Sequence, residues 1–586
     1  PEREKLAEED KWDLTKLFSD DEAWEKGLQQ FQQMLPKIET FQGTLGQSAG
    51  DLRKCLDFMT DLGILEERLG YYAQLRLSEN GGDSSHQAKY AKFMQAASKA
   101  EALASYQQPE ILAIPDDTMN GFLKDPVLAD FTIMLKKLLR FKPHTLTPRE
   151  EMIVALQSET NQTASKTFSA LTDVDLDFGS IQTKEGKQPL SQASFSRFLI
   201  DPDRNIREAA YRQFYGVYEQ HKNTLASLYS GSVNLDIYIA KIRNYPSARA
   251  AALFGDNVPE AVYDNLIDEV HAAFETLHSY YELRKRVLGV DKLKHYDVYV
   301  PLVKDIKVDY PYNTAVDTVI EALAPLGEQY QSELKRGLTG GWVDKYENKG
   351  KRSGAFSAGS YIGDPYILLN YKPDVLRNLF TLAHEGGHSM HSFYSAASNP
   401  FQHYSYTIFE AEVASTFNEQ LLGDYLMNNA GSEQMKAYLI GKQVDDIIAT
   451  VIRQTMFAEF EKITHEMVER SEPLTVDSLR ETYRKLLDSY FGPEMELENI
   501  SDLEALRIPH FYRAFYVYKY ATGLSAAIAL SRQVLEGGPA ERDRYLQFLH
   551  SGGSKFPIES LQAAGVDMSS PEPVRQALSR FAELVD

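Results

Sequence analysis

Residues 379–391 read LFTLAHEGGHSMH. Val375, Leu376, Leu379, Phe380 and Ala383 recur at helical spacing, so the stretch is expected to be a helix with one buried face. On such a helix His384 and His388 lie one turn apart on the same side, where both imidazoles reach one metal ion. Glu385 stands beside the first of them, placed to take a proton from a water on that ion. Gly386 and Gly387 sit mid-helix, where each costs about 1 kcal/mol relative to alanine. Close approach by a substrate or by a neighbouring helix is the expected reason. The plain alternative, a solvated pair of helical histidines, leaves the glycines and the apolar run unexplained.

A catalytic zinc needs a third protein ligand and an open position. Downstream, residues 407–422 read TIFEAEVASTFNEQLL, a second helical pattern with Glu410, Glu412 and Glu419 among apolar residues. Glu412 follows His388 by 24 residues, enough for one helix to end and a second to return. Glu412 is the preferred ligand. Glu419, seven residues on and on the same side, or Ser415 is expected to orient the site from behind, and Glu410 points elsewhere. His391 lacks the glycine-containing H-x-x-G-x-x-H extension that would make it a ligand, and a supporting or core role is expected for it.

Around this site the pattern is mainly α. Ser19 with Glu22 reads as a capping box ahead of a stripe of Trp24, Leu28, Phe31, Leu35 and Ile38, which Pro36 should end near Leu35. Cys55 falls in a second apolar stripe over residues 51–75 and reads as a core residue. Asp201-Pro202 is expected to open a long helix, and Asn257, Pro259 and Glu260 another that runs towards Val287. YDVYVPLV and KDIKVDY, residues 296–310, and the glycine-broken stretch to Tyr371 carry strand and turn signals, so a small sheet is expected near the active site. The helical pattern resumes at Pro373. Along the chain, residues 1–195 read as an N-terminal helical region and 196–586 as the catalytic region.

Two further stretches carry chemistry. Residues 507–527, RIPHFYRAFYVYKYATGLSAA, place Tyr512, Tyr516 and Tyr520 at four-residue spacing, expected on one helical face, with His510 just before. An aromatic core stripe is the bland reading. A cleft wall whose imidazole and phenol donors meet an oxyanion is the functional one. Residues 353–361, SGAFSAGSY, lack the GK[ST] ending of a phosphate loop; as an edge strand they suit an extended peptide backbone.

The composition narrows the partners. With 62 Lys and Arg against 84 Asp and Glu, the chain carries a formal charge of −22, which argues against nucleic acid as a partner. One cysteine in 586 residues excludes an intrachain disulfide and an all-cysteine metal site. No apolar run reaches membrane-spanning length, and the opening PEREKLAEEDKWDL has no signal-peptide character, so no membrane is expected and the cytoplasm is the expected compartment. The oligomeric state stays open.

HEGGHSMH, FEAEVAST, HFYRAFYVYKYATG and the late GGS…FPIESLQAAGVDM together resemble the thimet-oligopeptidase-like zinc peptidases, in particular the oligoendopeptidase F branch. The resemblance covers most of the chain. It implies a two-lobed, mostly helical zincin-type peptidase with a deep central channel that admits short peptides and excludes folded proteins. It implies one catalytic zinc ion held by His384, His388 and Glu412, with Glu385 as general base. His510 matches the histidine across the cleft in the family, while the tyrosine spacing departs from it, so the roles of Tyr516 and Tyr520 follow less directly. Substrate contacts fall on the strand carrying Gly354, Phe356, Ala358 and Gly359, and on Tyr512. The expected reaction is hydrolysis of internal bonds in short peptides. The rivals are a zinc exopeptidase, of the peptidyl-dipeptidase or carboxypeptidase type, a non-catalytic peptide-binding protein, and a helical scaffold without zinc.

Overall fold

A computed structural model of the chain describes residues 1–303 and 306–586. Its first long helix, α1 (Asp21–Met34), begins where the Asp20 carboxylate accepts the Ala23 N–H at 2.8 Å. The cap is therefore Asp20, one residue later than the expected Ser19. Pro36 ends the α-helical hydrogen bonding as expected, and Leu35–Phe41 continues as a 3-10 turn. The stripe of α1 buries Trp24, Leu28 and Phe31 against Leu62, Leu65 and Leu69 of α2 (Ala49–Glu79). Cys55 is buried in a neighbouring apolar cluster with Leu52, Ile111 and Leu135, and burial pushes its thiol up to about 11, as suits an inert core residue.

The described residues form two compact units, each assembled from three stretches of chain. The first comprises Pro1–Pro143, Lys307–Asn428 and Leu530–Val566; the second comprises His144–Ile306, Asn429–Ala529 and Asp567–Asp586. The expected division at residue 195 cuts the sequence elsewhere.

Helices dominate both units. In the second, α3 (Arg204–Ile242) is capped by Asp203, two residues beyond the expected Asp201. The run expected from Asn257 towards Val287 is two helices, Glu260–Ala272 and Phe274–Leu288, parted at Ala273. A hairpin of β1 (Ser180–Thr183) and β2 (Gly186–Pro189) also lies here, turning on two residues before Gly186 at φ +106°. The first unit holds a three-stranded sheet of β3 (Val343–Asp344), β4 (Phe356–Ala358) and β5 (Tyr366–Leu368) in the order β3-β5-β4. β3 runs parallel to β5 and β4 antiparallel to it, with Ser357 opposite Ile367. This is the small sheet expected from the glycine-broken stretch.

The strand signals at 296–310 are not realised among the described residues; Lys304 and Asp305 lie outside them. At the start of this stretch a buried arginine takes the backbone. Arg284, 1% exposed, donates to the carbonyls of Asp297 and Val300, and Arg207 and Arg204 hold the Asp297 carboxylate. Backbone groups that a strand would pair are taken by side chains. Among the described residues, no helix is long and apolar enough to cross a membrane.

Candidate metal centre

Two helices of the first unit build the site, α4 (Leu376–Ser398) and α5 (Ile408–Asn428). α4 starts three residues after the expected Pro373 and buries Leu379, Phe380, Leu382, Ala383 and Met390. α5 buries Phe409, Val413, Ala414 and Phe417. The glycine pair explains how closely they pack. A Cβ on Gly387 would lie 2.5 Å from the Ala414 carbonyl oxygen and 2.7 Å from Ser415 Cα, so only glycine lets the two backbones meet. The same atom on Gly386 would meet Leu334 at 3.4 Å, an ordinary contact. Of the two expected reasons for these glycines, the neighbouring helix accounts for Gly387.

That approach sets Glu412 against the histidine pair. Glu412 Oε2 lies 3.6 Å from His384 Nε2 and 3.9 Å from His388 Nε2, and one ligand atom from each residue falls within 4.8 Å of the others. Two imidazole nitrogens and a carboxylate oxygen, each partly accessible, are the donor set of a three-ligand zinc site that keeps a fourth position open. The residues fit the metal. Behind them, His384 Nδ1 meets Glu419 Oε1 at 2.7 Å, so that ring is held through the nitrogen turned away from Glu412, and His388 hydrogen-bonds the Ala411 backbone. Ser415 Oγ donates to Glu412 Oε2 at 3.3 Å and anchors the carboxylate.

The electrostatics divide the groups. Burial lowers His384, but Glu419, Glu385 and Glu412 more than offset it and raise the imidazole to about 9 in the metal-free protein. Burial and the neighbouring His384 hold His388 well below its ordinary value, neutral and ready to ligate. Glu385 is 6% exposed; burial, opposed by His384 and reinforced by Glu412 and Glu419, pushes its carboxyl up to about 7. A carboxyl balanced near neutrality both takes and returns a proton. His391 stacks on Tyr406 with ring centroids 3.6 Å apart, is held down to about 3 by burial, and stands outside the three-ligand group.

The sheet reaches the same helix. Ser357 Oγ lies 2.8 Å from Ser389 Oγ of α4, and the Ser357 N–H donates to Glu385. Phe356 and Ala358 point to the opposite face, against the apolar core around Trp12 and Tyr366. β4 therefore presents its backbone, rather than those side chains, along an edge that pairs with no other strand among the described residues. Gly359 passes so close to α4 that a Cβ would collide with Ser392. Gly354, at φ +84°, turns the chain into β4, and its carbonyl accepts Asn370 Nδ2 at 2.9 Å.

The aromatic segment lies in the second unit and departs from the expected single helix. Pro509–Tyr512 is a 3-10 turn, Phe515 takes φ +56°, and helix starts only at Tyr518. The four-residue stripe is broken. Tyr512 stacks on Phe168 at 4.4 Å, whereas Tyr520 stands 6.1 Å from His510 and 5.4 Å from Tyr516, ring centre to ring centre. The structure thus groups His510, Tyr516 and Tyr520, with the Arg513 guanidinium 3.9 Å over the Tyr516 ring, and sends Tyr512 elsewhere.

With this geometry in view, the sequence profile of "Peptidase family M3" matches residues 198–580 and that of "Oligopeptidase F" matches residues 110–178. The chain belongs to peptidase family M3. It is similar to oligopeptidase PepF of Bacillus subtilis, 42% identical over 588 residues that cover 100% of this chain and 88% of that one. An oligoendopeptidase F homologue of Borreliella burgdorferi is 41% identical, covering 99% and 98% of the two chains. Among solved structures, oligoendopeptidase-F of Enterococcus faecium superposes with a TM-score of 0.74 at 34% identity, covering 96% and 98%. A Chlamydophila abortus protein superposes with a TM-score of 0.94 at 36% identity, covering 100% and 98%. The mainly α fold is that of the oligoendopeptidase F structures, and membership of the M3 family makes the chain a metallopeptidase of oligopeptides.

Two supports of this M3 site escaped the sequence reading. Asn418 is fully buried, donates to the Ala383 carbonyl at 3.2 Å and meets the Tyr330 hydroxyl, tying α5 to α4 one residue before His384. Its helical spacing from Ala414 and Leu421, on the apolar face of α5, was the available signal, since an asparagine buried there needs a partner. Ser357 gave none, because its contacts with Ser389 and Glu385 arise from the sheet's placement on α4.

Proposed function

We propose that this chain is a zinc endopeptidase, acting in the cytoplasm on internal bonds of short unstructured peptides, with residues 196–586 as its catalytic region. His384, His388 and Glu412 hold one zinc ion and Glu385 is the general base. The observation that carries this reading is the convergence of those three ligand atoms beside a buried carboxyl balanced near neutrality. A zinc ion bound there would supply a Lewis acid that acidifies water and polarises the scissile carbonyl.

The protein's own groups do the rest. Glu419 accepts the Nδ1 proton of His384, which leaves Nε2 free to ligate. An extended substrate adds its backbone to the free edge of β4, next to Ser357 and Glu385. Glu385 takes a proton from the attacking water as the new carbon–oxygen bond forms, then delivers it to the amine nitrogen as the carbon–nitrogen bond breaks. His510, Tyr516 and Tyr520 are assigned, on the family likeness, to donate to the developing oxyanion.

Digestion of a mixture of eight- to twelve-residue peptides, with mass spectrometry of the products, tests the specificity. Internal cuts that a chelator abolishes and added zinc restores are expected. Stepwise loss of terminal residues would establish an exopeptidase instead, and zinc-loaded protein that binds peptide without cleaving it would establish a binding protein.

A further inference from the structure

Glu461 lies in the second unit on the helix Arg453–Glu469 and is fully buried. Among the described residues it has no ion pair. Its Oε1 accepts the Phe515 N–H at 3.1 Å, and its Oε2 has no hydrogen-bond partner among them. The groups around it are Asp236, His465, Tyr229 and Tyr263; His465 is already engaged with the Glu461 carbonyl and the Asp236 carboxylate. Burial, opposed by the Phe515 N–H and reinforced by Asp236, holds the carboxyl far above its ordinary range.

The partner of this acid is unusual. Four non-glycine residues among those described take positive φ: two asparagines, a serine and Phe515. Asparagine and serine tolerate that region better than a bulky aromatic residue, so Phe515 must be held there. Its ring is 3% exposed and packs 4.6 Å from His465 and 5.8 Å from Tyr263. The turn has a consequence for chemistry. A continuous helix through residues 510–520 would align Tyr512, Tyr516 and Tyr520 in one stripe. The left-handed residue breaks that stripe, leaving Tyr512 on Phe168 and Tyr516 with Tyr520 near His510.

We infer that Glu461 is a positioning residue: through its bond to the Phe515 N–H it holds the left-handed turn that groups Tyr516 and Tyr520 with His510. The inference rests on the donor role proposed above for those three residues. Glu461 acts by fixing which phenols stand beside His510.

Steady-state cleavage of a quenched peptide, with metal content and thermal midpoint measured alongside, tests this. Glu461→Gln keeps an acceptor for the Phe515 N–H and should leave kcat within about threefold of wild type. Glu461→Met should lower kcat at least tenfold with KM and zinc content little changed, and Tyr516→Phe should then cost nothing further. Should Glu461→Met fail to fold, Phe515→Gly and Phe515→Val carry the test. Both lose the ring, but only glycine accepts positive φ freely, so Phe515→Gly should keep kcat within about threefold while Phe515→Val loses at least tenfold. Equal kcat in Glu461→Met and wild type, equal kcat in the two Phe515 variants, or independent losses from Glu461→Met and Tyr516→Phe would overturn the lock. If Tyr516→Phe and Tyr520→Phe leave the wild-type kcat unchanged, the donor role itself falls, a result distinguishable from failure of the lock alone.

Discussion

His384 offers two nitrogens that play different parts, since Nε2 faces Glu412 while Nδ1 is held by Glu419. Removing that rear contact leaves the ligands in place but frees the ring. Glu419→Ala should therefore weaken zinc binding by about 10–100-fold, measured by competition with a chromophoric chelator, and unchanged affinity would deny Glu419 its role. At this scale the sequence was most legible where the chemistry is local. His384, Glu385 and His388 share a single helical turn, and Glu412 and Glu419 are two turns apart on one helix. Tyr512 was misplaced for the opposite reason. Its position depends on the turn at Phe515, held by a carboxyl 54 residues away in the chain, and no spacing rule contains that bond.

The pairing of α4 with α5 rests on Gly387, and the two glycines of HEGGH provide an internal control. A methyl group at Gly387 would force α4 off α5 by overlapping the Ala414 carbonyl, whereas one at Gly386 meets only Leu334 at contact distance. Gly387→Ala is expected to cost about 1–3 kcal/mol and to lower zinc affinity with it. Gly386→Ala should be neutral or stabilising by up to about 1 kcal/mol, because alanine is the better helix former. Thermal unfolding of the two variants decides the matter, and equal midpoints would contradict the packing argument. The need for a close neighbour was readable from the sequence, since two glycines weaken a helix for no local gain. Which of them meets the neighbour was not. The strand expected from residue 296 met a like obstacle: its Val and Tyr content is right for strand, but Arg284 captures the carbonyls of Asp297 and Val300 from another helix.

Across the whole molecule, acidity means that falling pH removes charge from many carboxylates at once, and buried pairs set the lower limit. Asp297 is fully buried; burial alone would raise it, but Arg204 and Arg207 more than offset this and hold it below its ordinary value. A carboxylate depressed in the folded state contributes stability above its unfolded value, near 4, and loses that contribution as pH falls through the lower folded value. Asp297→Asn should therefore destabilise the protein at pH 7 by about 3–5 kcal/mol, leaving two arginines without their partner, and should flatten the decline below about pH 4. Calorimetry across that range would contradict the assignment if variant and wild type fell in parallel. Turnover itself depends on Glu385. Glu385→Gln removes the proton acceptor while sparing all three ligands. Elemental analysis paired with cleavage of an internally quenched peptide should find one zinc ion per chain in both proteins and a loss of at least about 100-fold in kcat for the variant. Zinc-loaded Glu385→Gln protein that turns over within tenfold of wild type would deny Glu385 the role of general base.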